Sequence, residues 1–149
     1  MPRESVGDVL RKAHAWLRPG GLLVNIQPIH QTMEVEARFG SGRRHDAGII
    51  RDDAETYEDI RSSERTLTEL AAHGLFLPLA RDVYRLEFHF PVAADWHEFL
   101  ARPKAGSPEV DDRMLATAWN DPKGTVVVTD ETSIATYERT VPADRPARG

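Results

Sequence analysis

Cysteine is absent from the 149-residue chain, which excludes a disulfide framework, a thiolate nucleophile and cysteine-ligated zinc. Long apolar runs are absent too, the longest reaching about five to seven residues where a membrane-spanning helix needs about twenty. The opening Pro2-Arg3-Glu4 lacks the apolar core of a signal peptide. No block of one charge sign occurs, and 19 basic and 24 acidic residues leave a formal net charge of -5. Nothing is arranged to grip a phosphate backbone, so nucleic acid is not an expected partner. Together these absences predict a soluble, cytoplasmic protein without membrane contact.

What is present is ample apolar material: 40% of residues are hydrophobic, enough for one core. Ser5 followed by Asp8 forms a capping pattern, and Val6, Val9, Leu10, Ala13, Trp16 and Leu17 recur at helical spacing, which predicts a helix with one buried stripe. Pro19-Gly20-Gly21 ends it. The run Leu22-Leu23-Val24-Asn25-Ile26 has consecutive apolar residues, as in a strand buried on both faces. Met33, Val35, Ala37 and Phe39 alternate with Glu34, Glu36 and Arg38, and Gly40-Ser41-Gly42 supplies turn chemistry before Ala47 to Arg51, which predicts a β-hairpin.

Asp52 or Asp53 caps a second helix carrying Tyr57, Ile60, Leu67, Leu70 and Ala71 on one face, with Gly74 ending it. From Val83 to Phe90 the period is two, placing Tyr84, Leu86, Phe88 and Phe90 on a core side and Arg85, Glu87 and His89 on a wet or functional one. Ala94 to Ala101 reads as a short helix. Ser107-Pro108-Glu109 reads as the start of another, with a capping hydroxyl, a proline at the first helical position and a favourable acid. Thr125 to Thr129 and Ile134 to Arg139 form one bent strand or a terminal hairpin, and the Pro-, Ala- and Arg-rich residues 142–149 form a disordered tail.

The junction Leu17-Arg18-Pro19-Gly20-Gly21, closing a helix and opening an apolar strand, resembles a turn of the class I S-adenosylmethionine-dependent methyltransferases. There it delivers the chain into the fifth strand of a Rossmann-like sheet. The following order is similar to the C-terminal half of that family: strand, insertion, helix ending at His73-Gly74-Leu75-Phe76, antiparallel strand, helix, final strand. The resemblance spans most of residues 5 to 140. It implies a partial Rossmann-like α/β fold over residues 1–141, with a short mixed sheet, an added hairpin and about four helices.

The glycine-rich cofactor loop and acidic ribose partner of the family have no counterpart here. Gly40-Ser41-Gly42 follows a polar-alternating strand with no helix directly after it, and so reads as a turn. The resemblance therefore implies a protein that binds no cofactor alone and transfers a methyl group only if a partner or missing segment supplies the S-adenosylmethionine half. The alternative is a non-catalytic dimerisation or small-ligand-binding module built on the same shell. The first case leaves the Leu22 to Ile26 strand with an unpaired edge where earlier strands would sit, which predicts a homo-oligomer or a separately encoded partner.

Candidate site residues follow from the rule that ligands bind outside the carboxyl ends of strands in open α/β sheets. Asn25, Gln27, His30 and Gln31 lie at and beyond that end of the opening strand. His30 is the candidate general base or substrate anchor, since an imidazole exchanges its proton near neutrality; a solvated loop histidine is the alternative. Tyr84 could lend a hydroxyl to a substrate pocket. The six histidines lack the His-x-x-x-His spacing of a helical metal site, so no metal is expected. Asp52-Asp53 and Asp111-Asp112 read as helix caps, because adjacent side chains point apart. Arg43-Arg44-His45 reads as a solvated basic turn.

Overall fold

The computed structural model describes residues 5–141. In chain order it forms α1 (Val6–Trp16), β1 (Leu22–Pro28), β2 (Thr32–Arg38), β3 (Arg44–Arg51), α2 (Ala54–Ala72), β4 (Phe76–Phe90), α3 (Ala93–Leu100), β5 (Ser107–Val110), α4 (Asp112–Asn120) and β6 (Thr125–Arg139). The described residues thus make an α/β protein with four helices and an open six-stranded sheet. Its order is β1-β6-β2-β3-β5, with β4 also pairing β6. Where the sequence predicts a mixed sheet, hydrogen-bonded neighbours run antiparallel. The two terminal β-rich runs are one continuous strand, β6. The predicted tail, 142–149, lies outside the described residues.

The described residues divide into two compact units, the first comprising residues 5–27, 58–82 and 133–141, the second comprising 28–57 and 83–132. Each has its own core. In the first unit the core is Leu67, Leu70, Phe76, Ala135 and Tyr137, with Leu10, Leu17 and Leu23 packed against it. Helix α1 starts as expected, the Ser5 hydroxyl accepting from the Asp8 amide at 3.2 Å. Its predicted stripe is only partly realised: no α1 residue is fully buried, and Val9 and Trp16 face solvent. The core accepts Leu10 and Leu17, and His14 packs edge-on against Phe76.

The Pro-Gly-Gly turn is stitched to β6, with the Gly20 amide donating to the Arg139 carbonyl at 3.1 Å and the Arg139 amide to the Gly21 carbonyl at 2.8 Å. Strand β1 departs from its sequence pattern. Leu23 packs on the core, but Leu22, Val24 and Ile26 are exposed, because the helical layer of this unit covers one face of the strand and leaves the other bare.

In the second unit, β2 and β3 form the predicted hairpin around Gly40-Ser41-Gly42, the Phe39 amide donating to the Arg43 carbonyl at 3.0 Å and the Gly42 amide to the Phe39 carbonyl at 2.9 Å. Val35 and Ala37 pair with Val128 and Val126 of β6. Together with Ile50, Phe90, Trp96, Leu115 and Ala118 they make the core. The aromatic side of β4 is the larger surprise. Phe90 is buried against Trp96 and Phe99, but Tyr84, Leu86 and Phe88 are exposed, because α3 reaches only the end of the strand.

Ser107-Pro108-Glu109 does not start a helix. It forms β5, pairing Ser107 with Arg51 and Val110 with Gly48. Helix α4 begins after Asp111, whose Oδ1 accepts from the amides of Arg113 and Met114 at 3.1 Å. The aspartate cap therefore outcompetes the earlier signal, and Pro108, which has no amide proton to donate, is tolerated in a sheet's outermost strand. At the other predicted cap the choice falls on Asp53, which accepts from the Thr56 amide at 2.8 Å.

The close approach of β5 depends on Gly48. Its φ is +123°, and a Cβ there would lie 2.1 Å from the Glu109 carbonyl oxygen. Gly48→Ala combines left-handed strain with a backbone clash and should cost roughly 2–3 kcal/mol, read as a lower urea midpoint by circular dichroism. An unchanged midpoint would contradict this packing.

Candidate functional site

Strand alternation builds the most polar surface of the second unit. With Val35 and Ala37 turned into the core, Glu34, Glu36 and Arg38 must project from the opposite face of β2. There they meet Arg85, Glu87 and His89 of β4. Arg38 makes a two-pronged contact with Glu87, Nη2 to Oε1 at 2.6 Å and Nη1 to Oε2 at 3.1 Å, and its Nε donates to Glu36. Such fork-shaped pairing is the strong, directional form of an ion pair. Arg85 reaches Glu34 at 3.2 Å, and His89 Nε2 lies 3.1 Å from Glu87. Arg38, the Glu87 side chain's main partner, holds that carboxyl down at about 2, and the same contacts raise Arg38 well above its usual value. Glu34, Glu36, Arg38, Arg85 and Glu87, with Arg44 and Asp46, line a groove of about 610 Å³.

A second hollow of about 270 Å³, sharing Glu34 and Thr129 with the groove, is lined by His30, Thr32 and Glu131. His30 sits just past β1, with its Nε2 2.9 Å from Glu131 Oε2. The backbone around it is braced. The Ile29 amide donates to the Glu131 carbonyl, and the Asp52 amide to the Gln31 carbonyl. In return, Gln31 Nε2 donates to the Asp52 carbonyl at 3.0 Å, and the Tyr57 hydroxyl donates to the Ile29 carbonyl. When Nε2 carries the proton shared with Glu131, Nδ1 is the acceptor, so the arrangement can take a proton from, or hold, a ligand donor.

Asp130 adds a strained element. Its Oδ1 is buried without a hydrogen-bond partner. Burial, with the nearby Asp52 carboxylate adding to it, raises the Asp130 carboxyl above the ordinary aspartate value, while His30 pulls the other way. Asp52 is itself raised by burial and by Asp53.

Among the residues singled out from sequence, His30 lines a hollow and Gln31 braces it. Asn25 and Gln27 belong to the other unit. Gln27 is buried, and its Oε1 accepts from the Ser63 hydroxyl at 3.1 Å, which makes it a tie to α2. Tyr84 is exposed and is not part of either hollow. The strand period places Glu87 on a wet or functional face, whereas Arg38, Asp130 and Glu131 carry no site signal in the sequence beyond the alternating charges of Glu34, Glu36 and Arg38. Among the described residues no group of three or more histidines and acids is placed to hold a metal ion, and no helix is long and apolar enough to cross a membrane.

Because the folded state raises the Asp130 pKa, the unfolded chain releases that proton first, and the aspartate's contribution to stability falls as pH rises past its ordinary range. Asp130→Asn should therefore raise the urea midpoint at pH 7 and lose that advantage near pH 3; a midpoint that falls at pH 7 would contradict the burial account. No family model matches the chain, and neither a curated protein nor a solved structure matches it.

Proposed function

We propose that the chain is a methyltransferase-like half-domain that binds no S-adenosylmethionine by itself and works through another polypeptide that supplies the cofactor-holding half. The observation that carries this reading is the layering of the first unit. Helix α1, the Pro-Gly-Gly turn and β1 follow one another there, the order found in the resembling family. In a Rossmann-like sheet a strand at that place is covered by helices on both faces and paired on both edges. Here helices cover one face, and among the described residues β1 pairs only with β6.

Among the described residues the Gly-x-Gly segment does not fit an adenosyl group. Gly40-Ser41-Gly42 closes the hairpin between β2 and β3 and leads into a strand, with the Gly40 amide donating to Asp121 Oδ2 and the Gly42 amide to the Phe39 carbonyl. It offers no row of amides at a helix start, the feature that holds such cofactors. No methyl-transfer step is therefore assigned to this chain's own side chains. A second reading, a small-ligand-binding module, is favoured by the charged groove and by His30 beside Glu131, which together offer paired acids and bases to a polar ligand.

Calorimetric titration separates the first reading from an autonomous enzyme. The purified chain should give no binding heat with S-adenosylmethionine. Saturable one-to-one binding by an isolated copy would overturn the half-domain reading.

A further inference from the structure

The first unit holds a second feature, independent of the methyltransferase reading. On the core side of its sheet lie Leu23, Phe76, Ala135 and Tyr137. Strand alternation then places Leu22, Val24 and Ile26 of β1, Ile134 and Thr136 of β6, and Leu77 and Leu79 of β4 on the opposite side. The large aliphatic side chains there are wet: Leu22 is 55% exposed, Val24 52%, Ile26 63%, Leu77 49% and Leu79 48%. Among the described residues no helix of the first unit packs over them, since Leu10 of α1, Leu17 just after it, and Leu67 and Leu70 of α2 all pack into the core side.

We propose that this aliphatic sheet face is a self-association surface and that its occupant is a second copy of the same chain, packed face to face. Area supports that occupant. The five exposed aliphatic residues offer on the order of 500 Å² of contiguous apolar surface, at the upper end of what a monomer leaves bare. With the half-buried Ile134, Thr136 and Glu138 alongside, the face reaches the lower end of standard stable interfaces, about 600 Å² per partner. Charge supports it as well. The chain is acidic overall, with a net charge of -5, so two copies repel over most of their surface. The centre of this face carries no charge. Glu138 lies toward one end, and Arg81, next along β4, is already tied to Glu64 of α2. Shape agrees too, because two sheets of like twist stack about 10 Å apart with aliphatic side chains interdigitating.

Size-exclusion chromatography with light scattering, run on the full chain from low micromolar to submillimolar concentration, tests this. The expected mass is twice the 16.7 kDa of one chain. Val24→Lys on β1 and Leu79→Lys on β4 should each raise the dimer dissociation constant on the order of thirtyfold or more, with circular dichroism unchanged because both side chains are exposed within one copy. Phe88→Lys, an exposed aromatic of the other unit, should leave the dimer intact. A mass of one chain at every concentration overturns the proposal and leaves the face to a different partner. A dimer that survives Leu79→Lys and yields only to β1 substitutions also overturns it, because that pattern belongs to pairing along the β1 edge.

Discussion

A strand has two edges, and β6 has three partners. That constraint organises the sheet. The first part of β6, Thr125 to Thr129, pairs with β2, while its later part meets β1 through the Ile29–Glu131 and Gly21–Arg139 backbone bonds. β1 and β2 therefore follow one another along one edge, and β4 has the other. The run Val126-Val127-Val128 is fully buried, as expected where β-branched residues pack on both sides of a central strand. Both cores draw on β6: Val126 and Val128 serve one, Ala135 and Tyr137 the other.

The two units treat their helix-free faces in opposite ways. In the second unit that face is a ladder of acids and bases, with Arg38 clamped between Glu36 and Glu87. Such a surface satisfies its own polar groups and is at ease in water. In the first unit it is aliphatic, and among the described residues of the unit nothing relieves the cost of wetting it. The first arrangement suits a polar ligand that can exchange places with internal ion pairs. The second suits a macromolecular neighbour.

Local signals carried well from sequence to structure wherever the partner was also local. The Ser5 cap, the turn at Gly40 to Gly42 and the end of α2 at Gly74 are each set within a few residues, and all were legible. Signals that depend on distant partners were not. The apolar run in β1 resembles double-sided burial, yet which faces are covered is decided by helices far away in the chain. Tyr84, Leu86 and Phe88 have the period of a core strand, but period reports which residues share a face and not whether anything lies over it. At Ser107-Pro108-Glu109 two local signals compete, and the open edge of β3 beside Gly48, together with the Asp111 cap, settles the matter in favour of a strand. The candidate site was half legible for the same reason: His30 was visible from its place after β1, whereas Glu131 is 101 residues away and only the pairing of β6 brings it close.

The three tryptophans are distributed unevenly. Trp16 is 83% exposed in the first unit, while Trp96 and Trp119 lie 6.4 Å apart in the second, where Trp96 is buried. Each unit thus carries its own intrinsic optical reporter: a water-bathed indole with red-shifted emission in one, and a close, shielded indole pair in the other. Loss of the second unit's packing would shift the emission of its pair, while Trp16 already emits as in the unfolded chain. Loosening of the first unit would leave the spectrum nearly unchanged, so a shift in emission colour, with no added dye, reports the second unit alone.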